Sequence, residues 1–418
     1  MILRNRKAAA GLAAAALFGV LAGCAPSAPS GTSTPPGSAP ATESPSGPGS
    51  GTAGPETPSP SKTPGTPKPS TAQCAALVGG LDLDEQVGQL LMVAIDSSGL
   101  ASSTGSTLDE VHAGSVLLLG NTEAGRRAVS SVTTDAREAI KTPRGIGVLL
   151  AADQEGGQVQ RLAGDGFDEI PSAEEQADQS DGELRKNAEG WGEDLKKAGI
   201  DVNLAPVADV VPKELEDVNE PIAGLDRGYG SDPDKVAKKV AAFVEGMADA
   251  GVGTSLKHFP GLGKVRGNTD FTAKVTDTKT GPDDPDFAPF RAGIDAGANM
   301  IMIANAYYEK IDPDHQAVFS KKIITNLVRG DLGFDGVVIS DDLAAEAVSS
   351  LSPEKRAVRF LEAGGDLMII GDPSEAEDMA DAVADKAEDD PEFERRITES
   401  ATRVVQLKSR LGLASCGS

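Results

Sequence analysis

The sequence is poor in histidine, cysteine and aromatic side chains, and each shortage removes a class of chemistry. Its three histidines (His112, His258, His315) and three cysteines (Cys24, Cys74, Cys416) are scattered, with no ligand spacing, so no metal centre is expected. No Gly-rich dinucleotide turn follows the first apolar run. The Gly156–Gly157 pair follows the third and lacks the spacing, so no cofactor is expected. Basic residues are outnumbered, 39 Lys and Arg against 64 Asp and Glu, for a formal charge of −25. There is no basic stripe with interleaved aromatics. A surface this acidic repels nucleic acid and anionic surfaces rather than binding them. The one conspicuous N-terminal apolar run, Ala8 to Leu21, is short for a membrane-spanning helix.

That run does fit an export signal. Arg4, Arg6 and Lys7 precede it, and Leu21-Ala22-Gly23-Cys24 ends it. The L-A-G-C stretch resembles the bacterial lipoprotein signal, which implies removal of residues 1–23, lipidation of Cys24 and an extracytoplasmic domain tied to the cell membrane. A retained N-terminal anchor is the alternative. Residues 24–72 are almost entirely Pro, Ser, Gly, Thr and Ala after the cysteine, with only Glu43, Glu56, Lys62 and Lys68 charged. Without a periodic apolar face this stretch reads as a tether. Cys74 and Cys416 bracket the remainder, residues 73–418, almost end to end. In an oxidising compartment they are expected to pair, because domain termini tend to lie close together.

Between about Leu81 and Leu411, short apolar runs alternate with stretches of helical period. The runs are Gln89–Ile95, Gly114–Leu119, Gly147–Ala152, Asp201–Pro206, Gly253–His258, Met300–Ala304, Gly336–Ser340 and Asp366–Ile370. Several are apolar almost throughout, as expected for parallel strands buried on both faces. Ser231, Pro233 and Asp234 predict a capped helix start, with Val236, Val240, Phe243 and Met247 along one face. Ser352-Pro353 predicts another start, and helices are expected over Glu375–Ala387 and Glu392–Leu411. Gly199, Gly251, Gly297, Gly333 and Gly364 precede strands, where left-handed residues are common. Eight strand–helix alternations predict a single α/β domain, a (β/α)8 TIM barrel, with an open doubly wound sheet as the rival.

In such a barrel the active site lies at the carboxyl ends of the strands. Those ends here read Asp153-Gln154-Glu155, Asn203 to Asp209, Lys257-His258, Asn305, Ser340-Asp341-Asp342 and Gly371-Asp372. Charged groups closing apolar strands are costly unless used or paired. Their convergence on one rim suggests carboxylate chemistry on a hydroxyl-rich ligand, with Asp341 as nucleophile or base and Lys257 and His258 as hydroxyl binders. Other readings stand beside this one. Asp341 and Asp342 would be helix caps, Asp153 would pair with Arg161, and His258 would be a satisfied core histidine.

The motifs D-Q-E-G-G-Q-V-Q-R-L (Asp153–Leu162), N-L-A-P-V-A-D-V (Asn203–Val210), K-H-F-P-G (Lys257–Gly261) and L-G-F-D-G-V-V-I-S-D-D-L (Leu332–Leu343) resemble glycoside hydrolase family 3, in its single-domain β-N-acetylglucosaminidase branch. The resemblance implies a retaining exo-acting enzyme that releases terminal N-acetylglucosamine from β-1,4-linked cell-wall fragments. It casts Asp341 as nucleophile and Asp153, Arg227, Lys257 and His258 as sugar-binding residues. A monomer is expected. The branch usually carries a D-x-H dyad as acid/base; here Asn268 and Asp270 fall on those two positions. Asp270 is therefore the candidate acid/base, with its pKa raised in the closed complex. Gly261, Gly263 and Gly267 would let its loop close over substrate. A β-glucosidase or β-xylosidase, or a glycan-binding lipoprotein on an inactive barrel, are the alternatives.

Overall fold

In the computed structural model, residues 71–416 are described. The expected signal peptide and Cys24 lie outside them, as does the tether as far as Ser70. Thr71 and Ala72, assigned to the tether, instead open a helix, Thr71–Val78.

Eight parallel strands form one sheet: β1 Leu91–Asp96, β2 Ser115–Leu119, β3 Leu149–Ala152, β4 Val202–Asn203, β5 Gly253–Phe259, β6 Met300–Ile303, β7 Val337–Ser340 and β8 Met368–Ile370. Six of the eight expected runs contain one of them, and β1 and β5 run one residue past theirs. Their order in the sheet is β7-β6-β5-β4-β3-β2-β1-β8. A parallel bridge between Ile339 and Leu367 joins its two ends into a barrel. The expected barrel is therefore present and the open sheet is not. Among the surrounding helices are α1 Ser102–Glu110, α2 Arg126–Ala139, α3 Asp181–Lys197, α4 Pro233–Asp249, α5 Ala288–Asp295, α6 Lys322–Asp331, α7 Pro353–Ala363, α8 Ala376–Asp389 and α9 Pro391–Arg410. Val236, Val240, Phe243 and Met247 of α4 are buried as their spacing requires. The cap of α4 differs from expectation. Asp232 rather than Ser231 accepts the Asp234 N–H, because Pro233 occupies the first helical position. All five glycines expected to be left-handed have positive φ.

Two apolar layers result. The outer one lies between strands and helices. The inner one fills the barrel with Met92, Leu117, Leu149, Ala151, Val202, Met302, Ile339 and Ile369, and Val404 and Leu407 of α9 join it. The β5 strand breaks this pattern. Its Ser255 pairs in register with inward-facing Met300, so alternation points Lys257 into the barrel mouth as well. The same parity carries Ala151 to Asp153 and Ile339 to Asp341. Three of the candidate site residues are thus inward positions one step beyond the last apolar layer.

At the termini, Cys74 and Cys416 form a disulfide. Leu413 accepts the N–H of Gly147, just before β3, at 2.7 Å. The bridge therefore closes the chain at the end of the barrel away from the carboxyl rim.

Candidate active site

The rim encloses a cavity of about 180 Å³, lined among others by Asp153, Glu155, Arg161, Arg227, Lys257, His258, Asn268, Asp270, Asp341 and Asp342. All six residues proposed from sequence for catalysis and sugar binding are in that lining. Leu117, Leu204, Met302 and Ile369, from the inner layer, make its floor.

An ion network fixes one side. Lys257 Nζ reaches Asp153 Oδ1 at 2.5 Å and Glu155 Oε1 at 2.6 Å. Arg227 donates twice to the same Glu155, Nε to Oε2 and Nη2 to Oε1, both at 2.8 Å. Burial pushes the Glu155 carboxyl up, but the charges of Arg227 and Lys257 outweigh it and hold the group well below the usual carboxylate range. Burial likewise works against charge on Lys257, and the carboxylates of Asp153 and Glu155 more than offset it. Glu155 therefore fixes two cations, Lys257 and Arg227, on one wall of the cavity. The sequence reading quoted Glu155 without giving it a role. Its signal was a second carboxylate two residues after Asp153, on the short strand Gln154–Gly156.

The Asp153–Arg161 pair, the alternative reading of Asp153, is not formed, because Lys257 occupies that face of Asp153. Arg161 instead donates Nη1 to Asn121 Oδ1 at 3.0 Å, and its buried Nε has no partner. Arg161 lines the cavity wall, a position that its place in the sequence did not indicate.

His258 is oriented rather than merely buried. Its Nδ1 lies 2.8 Å from Asp209 Oδ2, and its backbone N–H donates to Asp209 Oδ1 at 3.1 Å. A carboxylate on Nδ1 leaves Nε2 turned to the cavity, 3.4 Å from Arg227 Nη2. Asp209 was expected on the rim; its part is to hold this ring.

The two candidate catalytic carboxylates sit on loops tied to each other. Asp341 follows β7, and Asp270 lies on the loop after β5. The N–H of Glu346 donates to the Asp270 carbonyl at 3.3 Å, and that of Ala347 to Thr269 at 3.1 Å. Asp341 is not a helix cap; its Oδ1 accepts only the adjacent Asp342 N–H. Asp342 does the turn-making, accepting from Ala344 and Gly371 N–H at 2.8 and 2.9 Å. Burial pushes the Asp341 carboxyl up to about 6, with the Asp270 charge adding to the rise and His258 opposing it. Of the three loop glycines, Gly263 differs from expectation. A Cβ on Gly263 would meet the Val210 carbonyl oxygen at 1.8 Å, so this glycine serves close packing rather than hinging. The first half of the loop is pinned further. Lys264 pairs with Asp284 and Asp286, and Asn219 donates to the Leu262 and Val265 carbonyls. Asp270 itself is exposed at the mouth.

Comparison with known proteins agrees with this geometry. Residues 82–407 match the model of the glycosyl hydrolase family 3 N terminal domain. A β-hexosaminidase of Xylella fastidiosa is 32% identical over 305 residues, 71% of this chain and 87% of that protein. The crystal structure of a β-N-acetylhexosaminidase from Beutenbergia cavernae superposes with a TM-score of 0.78 at 44% identity, covering 79% of this chain and 99% of the other. A family 3 β-N-acetylglucosaminidase from a Paenibacillus species gives 0.72 at 28%, over 80% of this chain and 63% of the other. With a family match across nearly the whole barrel and a carboxylate-lined pocket at its rim, the chain belongs to glycosyl hydrolase family 3.

Proposed function

We propose that this protein is a retaining exo-β-N-acetylglucosaminidase that acts on β-1,4-linked cell-wall fragments outside the cytoplasm, held to the membrane by a lipid on Cys24. The hexosaminidase class is supported by the names of its relatives. The observation that carries the mechanism is the pair of carboxylates, Asp341 and Asp270, lining one cavity with Asp341 half-buried and Asp270 exposed at the mouth. At about 180 Å³, that cavity is small beside the roughly 300–1,000 Å³ of sites that take larger ligands. One terminal sugar suits it.

In this reading Asp153, Arg227, Lys257 and His258 grip the hydroxyls of the terminal sugar. Asp341 attacks the anomeric carbon as the bond to the leaving oxygen breaks, and Asp270 gives that oxygen its proton. A water then enters, Asp270 takes its proton, and the resulting hydroxide displaces Asp341 from the sugar. The exposed Arg266, four residues before Asp270, is the cation that an acidic muramic-type leaving sugar would meet.

Hydrolysis of aryl β-N-acetylglucosaminide beside aryl β-glucoside by the full chain tests the class. Turnover of the first, lost in D341A, is expected. A deep loss in D270A that shrinks on substrates with very good leaving groups assigns proton donation to Asp270. Preference for the glucoside would favour the β-glucosidase reading. Glycan binding without turnover would favour an inactive barrel. Anchoring is tested by fractionation, where C24A is expected to leave the membrane fraction.

A further inference from the structure

Among the described residues, two large hydrophobic side chains are exposed, Val218 at 38% and Phe271 at 80%. A single exposed apolar residue needs no explanation. Here both sit on the two loops that wall the cavity mouth. Those loops are bonded together. The N–H of Glu220 donates to the Arg266 carbonyl at 2.9 Å, and Glu220 Oε2 accepts from the Asn268 N–H at 3.3 Å. Pro221 and Leu225 of the first loop, and Asn268 to Asp270 of the second, line the cavity itself.

Phe271 is also held at a fixed offset from the candidate proton donor. Its N–H donates to the Asn268 carbonyl at 3.2 Å, closing a four-residue turn. Asn268 Oδ1 accepts the Asp270 N–H within that turn at 3.0 Å. To receive a proton, the leaving oxygen must come within hydrogen-bond reach of the Asp270 carboxyl. Phe271 is the next residue in the chain, so the root of its unshielded phenyl ring lies about 3.8 Å from the Cα of Asp270. A β-1,4-linked pyranose turns its polar substituents outward around the ring and presents axial C–H groups above and below. Such a flat apolar face is what an exposed aromatic ring accepts.

We propose that Phe271, with Val218 on the facing loop, is the platform on which the leaving sugar stacks, so that the site selects pyranose leaving groups over small ones. The inference rests on the hydrolase reading above and deepens it by assigning the second sugar subsite.

The test compares kcat/KM for N,N′-diacetylchitobiose with that for methyl N-acetyl-β-glucosaminide, using the full chain, F271A and F271W. Both substrates need the same proton from Asp270, but only one brings a second ring. In F271A the disaccharide-to-methyl ratio is expected to fall about five- to tenfold, the scale of one lost aromatic contact and its buried area. F271W is expected to keep the ratio. An unchanged ratio in F271A would overturn the platform, as would an equal fall on both substrates, which would mean only that the loop had been disturbed. A wild-type chain that hydrolyses neither substrate would instead overturn the hydrolase reading on which the platform rests.

Discussion

Replacing Asp341 with Asn should remove catalysis and stabilise the fold, and the two effects have one cause. Burial raises this carboxyl from 3.8 to about 6. Each unit of difference between folded and unfolded pKa is worth about 1.4 kcal/mol. Below pH 4 both states hold the proton and the group costs nothing. Between pH 4 and 6 the unfolded chain ionises while the folded one does not, and the fold is progressively penalised. Above pH 6 the penalty is complete, at about 3 kcal/mol. Asn imitates the protonated carboxyl at every pH and carries no such cost. With unfolding entropy of about 2.1 cal/mol/K per residue over the roughly 350 described residues, 3 kcal/mol is a rise in Tm of about 4 °C. D341N should therefore melt about 4 °C above the wild type at pH 7.5, converge with it near pH 4, and lose turnover by several orders of magnitude. Calorimetry across that pH range is the assay. An inactive D341N that melts with or below the wild type at pH 7.5 would refute the picture of a buried, reluctant carboxylate.

Four further outcomes are expected. In the proposed mechanism Asp341 attacks only when ionised, so kcat/KM should fall about tenfold per pH unit below pH 6; an acid limb near pH 4 would contradict its raised pKa. E155Q leaves Lys257 and Arg227 buried with too little negative charge, at a cost of about 3–5 kcal/mol. It should both melt earlier and bind N-acetylglucosamine more weakly, and unchanged binding by calorimetry would dismiss Glu155 as the hub. Cys74 and Cys416 are 342 residues apart, so C74S should lose up to roughly 5 kcal/mol, and the double Ser variant no more than the single one in denaturant unfolding. Lys408 is buried against Gln89 and pushed down to about 7, so K408M should be the more stable protein at pH 6.5. That advantage should shrink toward pH 9.5, because the proton Lys408 gives up on folding is then released into more basic solution, at a cost that falls by about 1.4 kcal/mol per pH unit.

Much of the barrel could be read from the chain because parallel strands buried on both faces leave unbroken apolar runs. Where a run ended in Asp153, Lys257 or Asp341, period-two alternation alone aimed the side chain inward. Caps were less legible. Ser231 and Asp232 both fit the signature, and the placement of Pro233 decided between them. Helix α6, Lys322–Asp331, was not anticipated, and its π-helical winding departs from the 3.6-residue period on which pattern reading depends. The network behind the rim was the least legible part. Glu155 meets Arg227 across 72 positions and Asp209 meets His258 across 49. Their pairing depends on how two loops fold over the mouth, and no local spacing encodes it. The alternative Asp153–Arg161 pair is absent for the same reason: nearness in sequence suggested a partner, and Lys257, 104 positions away, takes its place.

The Glu155 hub also bears on which inhibitors this cavity should prefer. Asp153, Glu155, Asp270, Asp341 and Asp342 face Arg161, Arg227 and Lys257 as fixed cations, and Glu155 already neutralises much of the positive charge. Once Asp341 has ionised, the cavity has a surplus of negative charge, inside a chain whose overall charge is negative as well. A sugar mimic with a protonated ring nitrogen would sit in a favourable field there, while one carrying a carboxylate in the same ring would be repelled. Selectivity among ring-shaped inhibitors is thus set by charge before any hydroxyl is matched.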